Sequence, residues 1–171
     1  FNVASIFRQV GVTGDEAYAI FLPGAVIGVT IRLGAGWLSD RIPLKYLLMG
    51  MLSGVGVSAT GLVVPDAAFR FWVLVAGNGL SMGFFGLLLQ VTWPRFFGRL
   101  HLGAISGFAT ALTVFASALG PFVFSQVLDE TGSYRLIGWI MVAAAGVLVV
   151  GSFRANNPQP VPVVTAPPPG T

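Results

Sequence analysis

Arg32 is the residue of this chain best placed to do chemistry. It stands in residues 17–38, AYAIFLPGAVIGVTIRLGAGWL, a stretch with no other charge. A cation in hydrocarbon costs at least about 2.5–3.5 kcal/mol on insertion scales, so it normally faces a cavity, a partner or an anionic ligand. The guanidinium is a planar fork of five donors and fits a carboxylate in bidentate fashion. The chemistry expected of Arg32 is therefore recognition of an anion. A second reading stays open. Asp40 follows eight residues later, about 12 Å along a helix, and the long side chain can snorkel that way to the interface.

Other polar residues inside apolar runs are weaker candidates. Asn78 lies mid-run and is the best of them; Gln90, Thr110, Thr113 and Ser117 either line a cavity or hydrogen-bond between helices. His101, the sole histidine, falls between runs and is expected to be solvated. The chain has no cysteine, which excludes a thiolate metal site. No His–carboxylate pair, phosphate-binding glycine loop or metal-ligand spacing is present, so no enzyme, metal or cofactor is expected.

The elements that must position these residues follow from composition. Of the 171 residues, 55% are hydrophobic and 9% charged, against about 25% charged in soluble domains. A soluble fold of this size cannot hide so much apolar surface, and a lipid bilayer is its natural partner. Runs of about 20 apolar residues fall at 17–38, 44–64, 69–93, 102–128 and 136–153. They are too long and lack the alternation of barrel strands. The expected class is an all-α membrane protein with five transmembrane helices. Net charge is +3, from cations scattered singly, which argues against a nucleic-acid partner.

Residues 1–10, FNVASIFRQV, lack the basic start and cleavage site of a signal peptide and are expected to be the end of an earlier, truncated helix. Residues 156–171 hold six prolines and are expected to form a disordered, Pro-rich tail. The Lys/Arg distribution sets the orientation. Arg41, Lys45, Arg95, Arg99 and Arg154 fall on one side with Asp40. Arg8, Arg70 and Arg135 fall on the other with Asp15, Glu16, Asp66, Asp129 and Glu130. The five-to-three bias makes the 39–45 and 94–101 turns and the tail cytoplasmic. Four G-x-x-x-G pairs, Gly24/Gly28, Gly50/Gly54, Gly79/Gly83 and Gly103/Gly107, offer smooth faces for close helix contact, whether static or sliding.

The turn Gly36-x-x-x-Asp40-Arg41-x-x-x-Lys45 resembles the loop motif of the major facilitator superfamily, found between the second and third helices of each six-helix half. In this motif Gly36 permits close helix contact, and Asp40 can pair with a cation or cap a neighbouring helix, forming a latch made in one conformational state. Pro43 and Leu44 depart from the usual glycine and basic residue. Trp93-Pro94-Arg95-Phe96-Phe97-Gly98-Arg99, Leu119-Gly120-Pro121 and Asp129-Glu130-Thr131-Gly132-Ser133-Tyr134 follow, a succession similar to the last helices of the monocarboxylate and oxalate–formate branch.

The resemblance implies that residues 1–155 are the C-terminal transmembrane half, with the spans as helices eight to twelve and residues 1–10 as the end of helix seven. It implies a secondary active transporter of small organic anions in the plasma (inner) membrane, completed by the N-terminal half of the same transporter. In that branch an arginine on helix eight binds the substrate carboxylate, the position of Arg32. Gly28 stands where animal monocarboxylate carriers have an acidic residue, and 102–128 lacks the lysine of oxalate carriers, so a monocarboxylate is favoured over a dicarboxylate. The alternative is a small self-contained membrane scaffold or anchor acting through the Pro-rich tail.

Overall fold

A computed structural model describes residues 21–98 and 100–155. The expectations for residues 1–10 and for the 156–171 tail lie outside the described residues. Among the described residues there are five helices: α1 Phe21–Ser39, α2 Leu44–Gly61, α3 Ala67–Phe97, α4 Leu102–Thr131 and α5 Arg135–Ser152. The all-helical reading therefore holds. Four stretches are long and apolar enough to cross a membrane: Phe21–Ser39, Ala68–Phe97, Leu102–Thr131 and Arg135–Ser152.

The expectation of five full spans needs one correction. α2 offers only the shorter apolar stretch Leu44–Thr60. The sequence run continues to Val64, but the chain leaves the helix after Gly61, where the Leu62 N–H donates to the Ala59 carbonyl at 3.1 Å. α2 is packed between α3 and α5 and buries Leu47, Leu52, Gly54 and Ala59.

Two helices run past their expected ends for identifiable reasons. Pro94 sits in the last turn of α3, where its missing N–H removes a single hydrogen bond. The helix then closes at Gly98, whose φ of 70° suits glycine. α4 continues through Asp129 and Glu130 to Thr131 and ends on Gly132 in the left-handed conformation, with its N–H on the Leu128 carbonyl at 2.8 Å. Charges there mark a water boundary, not a helix end.

Packing does not follow chain order. α3 lies between α1 and α2, α2 lies between α3 and α5, and α4 makes few contacts. Glycine sets these neighbours. A Cβ on Gly83 would fall 2.7 Å from the Gly28 carbonyl, and one on Gly79 would fall 2.9 Å from the Gly24 carbonyl, so α1 and α3 run parallel in backbone contact. α2 and α3 run antiparallel: a Cβ on Gly54 would meet the Ser81 nitrogen at 2.6 Å, and Gly77 faces Ser58. Three of the four G-x-x-x-G pairs thus mediate contact. Gly103 and Gly107 have no such neighbour within 4 Å, and α4 buries no residue.

The two apolar clusters mark the two ends. Leu62, Leu74, Val75, Tyr134 and Ile137 pack at the end carrying the 62–66 and 132–134 turns. Ala35, Leu44, Leu47, Leu87 and Leu88 pack at the end carrying the 40–43 turn.

Candidate functional site

The parallel contact of α1 with α3 decides where Arg32 goes. Gly24 and Gly28 press onto α3 through Gly79 and Gly83. One turn further on, the Arg32 side chain lies against Gly86. A Cβ on Gly86 would sit 3.2 Å from both Cζ and Nη1 of Arg32, and Nη2 is 3.5 Å from the Gly86 carbonyl. That last contact is long for a hydrogen bond. Arg32 forms no ion pair among the described residues, so its charge remains available to a ligand.

A groove of ≈ 430 Å³ opens along this seam, and Arg32 and Asn78 both line it. Gly24, Ala25, Gly28 and Val29 form its α1 wall at helical spacing, with Phe21 and Met82 also lining it. The two polar residues singled out in the sequence therefore line the same otherwise apolar groove from different helices, with Arg32 at Gly86, about two turns along α3 from Asn78. Asn78 is half-buried and Arg32 exposed. A fork-shaped cation, an amide and apolar walls are the combination expected for a small, partly apolar anion.

The loop-motif residues lie at the far end of the same two helices. Asp40 pairs with Arg95 on the last turn of α3, Nη2 to Oδ1 at 2.5 Å, and Nη1 of Arg95 donates to the Ser39 carbonyl at 2.5 Å. Arg95 thus bridges the C-termini of α1 and α3, where helix dipoles favour a cation. Arg41 turns back over the Trp37 ring at 3.6 Å and donates to the Trp37 carbonyl at 3.3 Å, a cation–π contact. The Lys45 ammonium lies 5.7 Å from the Tyr46 ring centroid. Gly36 is a correction. Its own helix aside, nothing among the described residues lies within 4 Å of the place a Cβ would occupy, so it makes no close helix contact with them. Its carbonyl instead accepts from the Ser39 hydroxyl at 2.8 Å.

The lesser candidates resolve without a site. Thr110, Thr113 and Ser117 donate to carbonyls four residues back on their own helix, at 2.8, 2.9 and 2.8 Å. Such bonds are local, and the hydroxyl protons are directed to their own helix rather than across to a neighbour. Gln90 is exposed, and His101 is exposed at the start of α4 without a capping hydrogen bond.

Sequence reasoning missed three residues. Gly86 was one glycine among 23, and only the α1–α3 register reveals it. Arg95 was assigned to a loop; its place after Trp93-Pro94 was the available signal that it closes a helix. Arg70 was counted as a loop cation, but it is buried and its Nε donates to the Val64 carbonyl at 2.9 Å, holding the α2–α3 turn.

The turns do partition as the charges suggested. Arg41, Lys45, Arg95 and Arg154 share one end of the bundle, with Arg70, Arg135, Asp66, Asp129 and Glu130 at the other. Comparison with protein-family models, with curated proteins and with solved structures finds no match to this chain.

Proposed function

We propose that this chain is the C-terminal half of a major facilitator-type transporter that moves a small organic anion, a monocarboxylate in preference to a dicarboxylate, by alternating access. The observation that carries the reading is the convergence of Arg32 and Asn78 on one apolar groove between α1 and α3. Arg32 supplies the charge that recognises the carboxylate, Asn78 a directional hydrogen bond, and the glycine-rich walls the space for a short apolar body. In such transporters the site lies near the midplane, and two halves rock around it.

The Asp40–Arg95 link suits that cycle because it ties the ends of the two groove-forming helices. The acid is well exposed and the pair is water-accessible. A pair of that kind contributes about 0.2–1 kcal/mol. It is weak enough to break once per cycle.

The test is uptake of a panel of monocarboxylates by cells producing the complete protein, with Arg32→Ala and Arg32→Lys alongside. Loss of a desolvated charge-assisted pair costs roughly 2–5 kcal/mol, about 30- to several-thousand-fold in apparent affinity. Arg32→Lys keeps the charge but loses the fork and is expected to fall between. An Arg32→Ala protein that reaches the membrane and transports a carboxylate with unchanged affinity refutes the anion site.

A further inference from the structure

A second pair of recesses lies at the basic end of the bundle, away from the Arg32 groove. The first is a slot of ≈ 200 Å³ between α2 and α3, lined by Leu48, Met51, Leu88, Leu89, Trp93 and Phe96 among others. Its wall is apolar except for Lys45 and Thr92. The second, ≈ 290 Å³, is lined by Lys45 and Arg95 together with the 42–44 turn. Leu44, Lys45, Phe96 and Ala155 border both. A narrow apolar slot therefore runs directly into a basic mouth.

We propose that this composite site binds one anionic phospholipid, with an acyl chain in the α2–α3 slot and the headgroup phosphate at Lys45 and Arg95. Charge selects this occupant. Among the described residues, Arg41, Lys45, Arg95 and Arg154 lie at this end of the bundle against one acid, Asp40, leaving it net positive. Residues 156–171, which follow Ala155 directly, carry no acidic side chain, so they bring no negative side-chain charge to the mouth. Basic pockets between helices at the membrane surface take anionic headgroups, and each Lys or Arg near the surface contributes about 1 kcal/mol. Lys45 is half-buried and borders both recesses, so its methylene stem can flank the acyl chain while the ammonium meets the phosphate. Arg95 already spends two donors on Ser39 and Asp40; a phosphate there would draw on its remaining N–H groups.

Trp93, in the slot wall, provides the probe. Every other tryptophan of the complete protein, Trp37, Trp72 and Trp139 together with any in its other half, is replaced by phenylalanine, and the protein is reconstituted with brominated phosphatidylglycerol or brominated phosphatidylcholine. Quenching of Trp93 is expected to half-saturate at a mole fraction of brominated phosphatidylglycerol at least about fivefold below that of phosphatidylcholine, the ratio given by about 1 kcal/mol. Lys45→Gln is expected to bring the two lipids together, and removal of 156–171 to leave the preference unchanged. Equal quenching by both lipids with Lys45 in place overturns the proposal. So does quenching that develops only after 156–171 is removed, which would make the tail the occupant. Neither result bears on transport through Arg32.

Discussion

Gly86→Ala probes the proposed anion site without touching its charge. The added methyl would lie 3.2 Å from Cζ and Nη1 of Arg32, closer than ordinary carbon contact at about 3.5–4.0 Å. The guanidinium must then give by a few tenths of an ångström, away from α3. The helix itself gains, since alanine in a helix interior is worth about 0.5–1 kcal/mol over glycine. Folding and insertion are therefore expected to hold or improve while recognition suffers. The bidentate geometry tolerates little displacement, and a loss of about 1 kcal/mol corresponds to about a fivefold rise in apparent KM.

The assay is a double-mutant cycle of carboxylate uptake over Gly86→Ala and Arg32→Lys, with surface abundance measured in parallel. The lysine has no planar fork to displace, so Gly86→Ala is expected to cost clearly less in that background. The coupling energy should be about 0.5–1 kcal/mol, the scale of residues in contact. Equal fivefold effects in both backgrounds would mean that Gly86 acts on α3 packing generally. An unchanged KM in the single variant would refute the placement of the working guanidinium over Gly86.

The remaining predictions concern the frame. Pro43→Cys and Pro65→Cys, both at exposed turn positions in a chain without cysteine, are expected to report opposite sides, with an impermeant maleimide reaching residue 65 and not residue 43 from outside intact cells; the reverse labelling inverts the orientation. Gly54→Ala, whose Cβ would meet the Ser81 backbone at 2.6 Å, is expected to lower thermal stability in detergent by about 1–3 kcal/mol as an overpacked contact. Gly103→Ala has open space and is expected to be neutral or stabilising; comparable damage from it would show that α4 packs on something through that face. Asp40→Asn is expected to slow transport several-fold with little change in KM, and the exchanged pair Asp40→Arg with Arg95→Asp to recover part of the rate. No recovery would mean that Asp40 acts other than through Arg95.

The helices were legible because an apolar run of about 20 residues leaves few alternatives; the last four expected runs lie within a few residues of the helices, and the first ends one residue short of Ser39, its start at 17–20 lying outside the described residues. Their ends were less so. Pro94 and the acids at 129 and 130 read as breaks, yet a proline in a last turn forfeits little, and exposed charges at a helix end find water without ending the helix. Arg32 and Asn78 were legible as polar exceptions in apolar runs. Their meeting in one groove was not, because it depends on α1 and α3 lying parallel and adjacent although α2 separates them in the chain.

That adjacency rests on glycine, and glycine spacing alone does not determine it. Gly24/Gly28 and Gly79/Gly83 face each other, Gly54 faces Ser81, and Gly103/Gly107 face no described neighbour, though all share the same local pattern. A small residue permits approach; it does not choose the partner. Here the choice is coupled to the site. With the α1 and α3 backbones in contact at Gly28 and Gly83, the next turn brings a guanidinium against α3, and glycine at position 86 lets it lie there without the shift that even a methyl would impose. The same parallel register carried on to the helix ends places Arg95 beside Ser39 and Asp40. One packing register, permitted by glycines in the middle of the seam, therefore fixes the places of both Arg32 and the Asp40–Arg95 pair. A change that shifts α1 along α3 would displace the Arg32 guanidinium and the Asp40–Arg95 pair together, so on the proposed reading carboxylate affinity and transport rate are expected to change in the same variant.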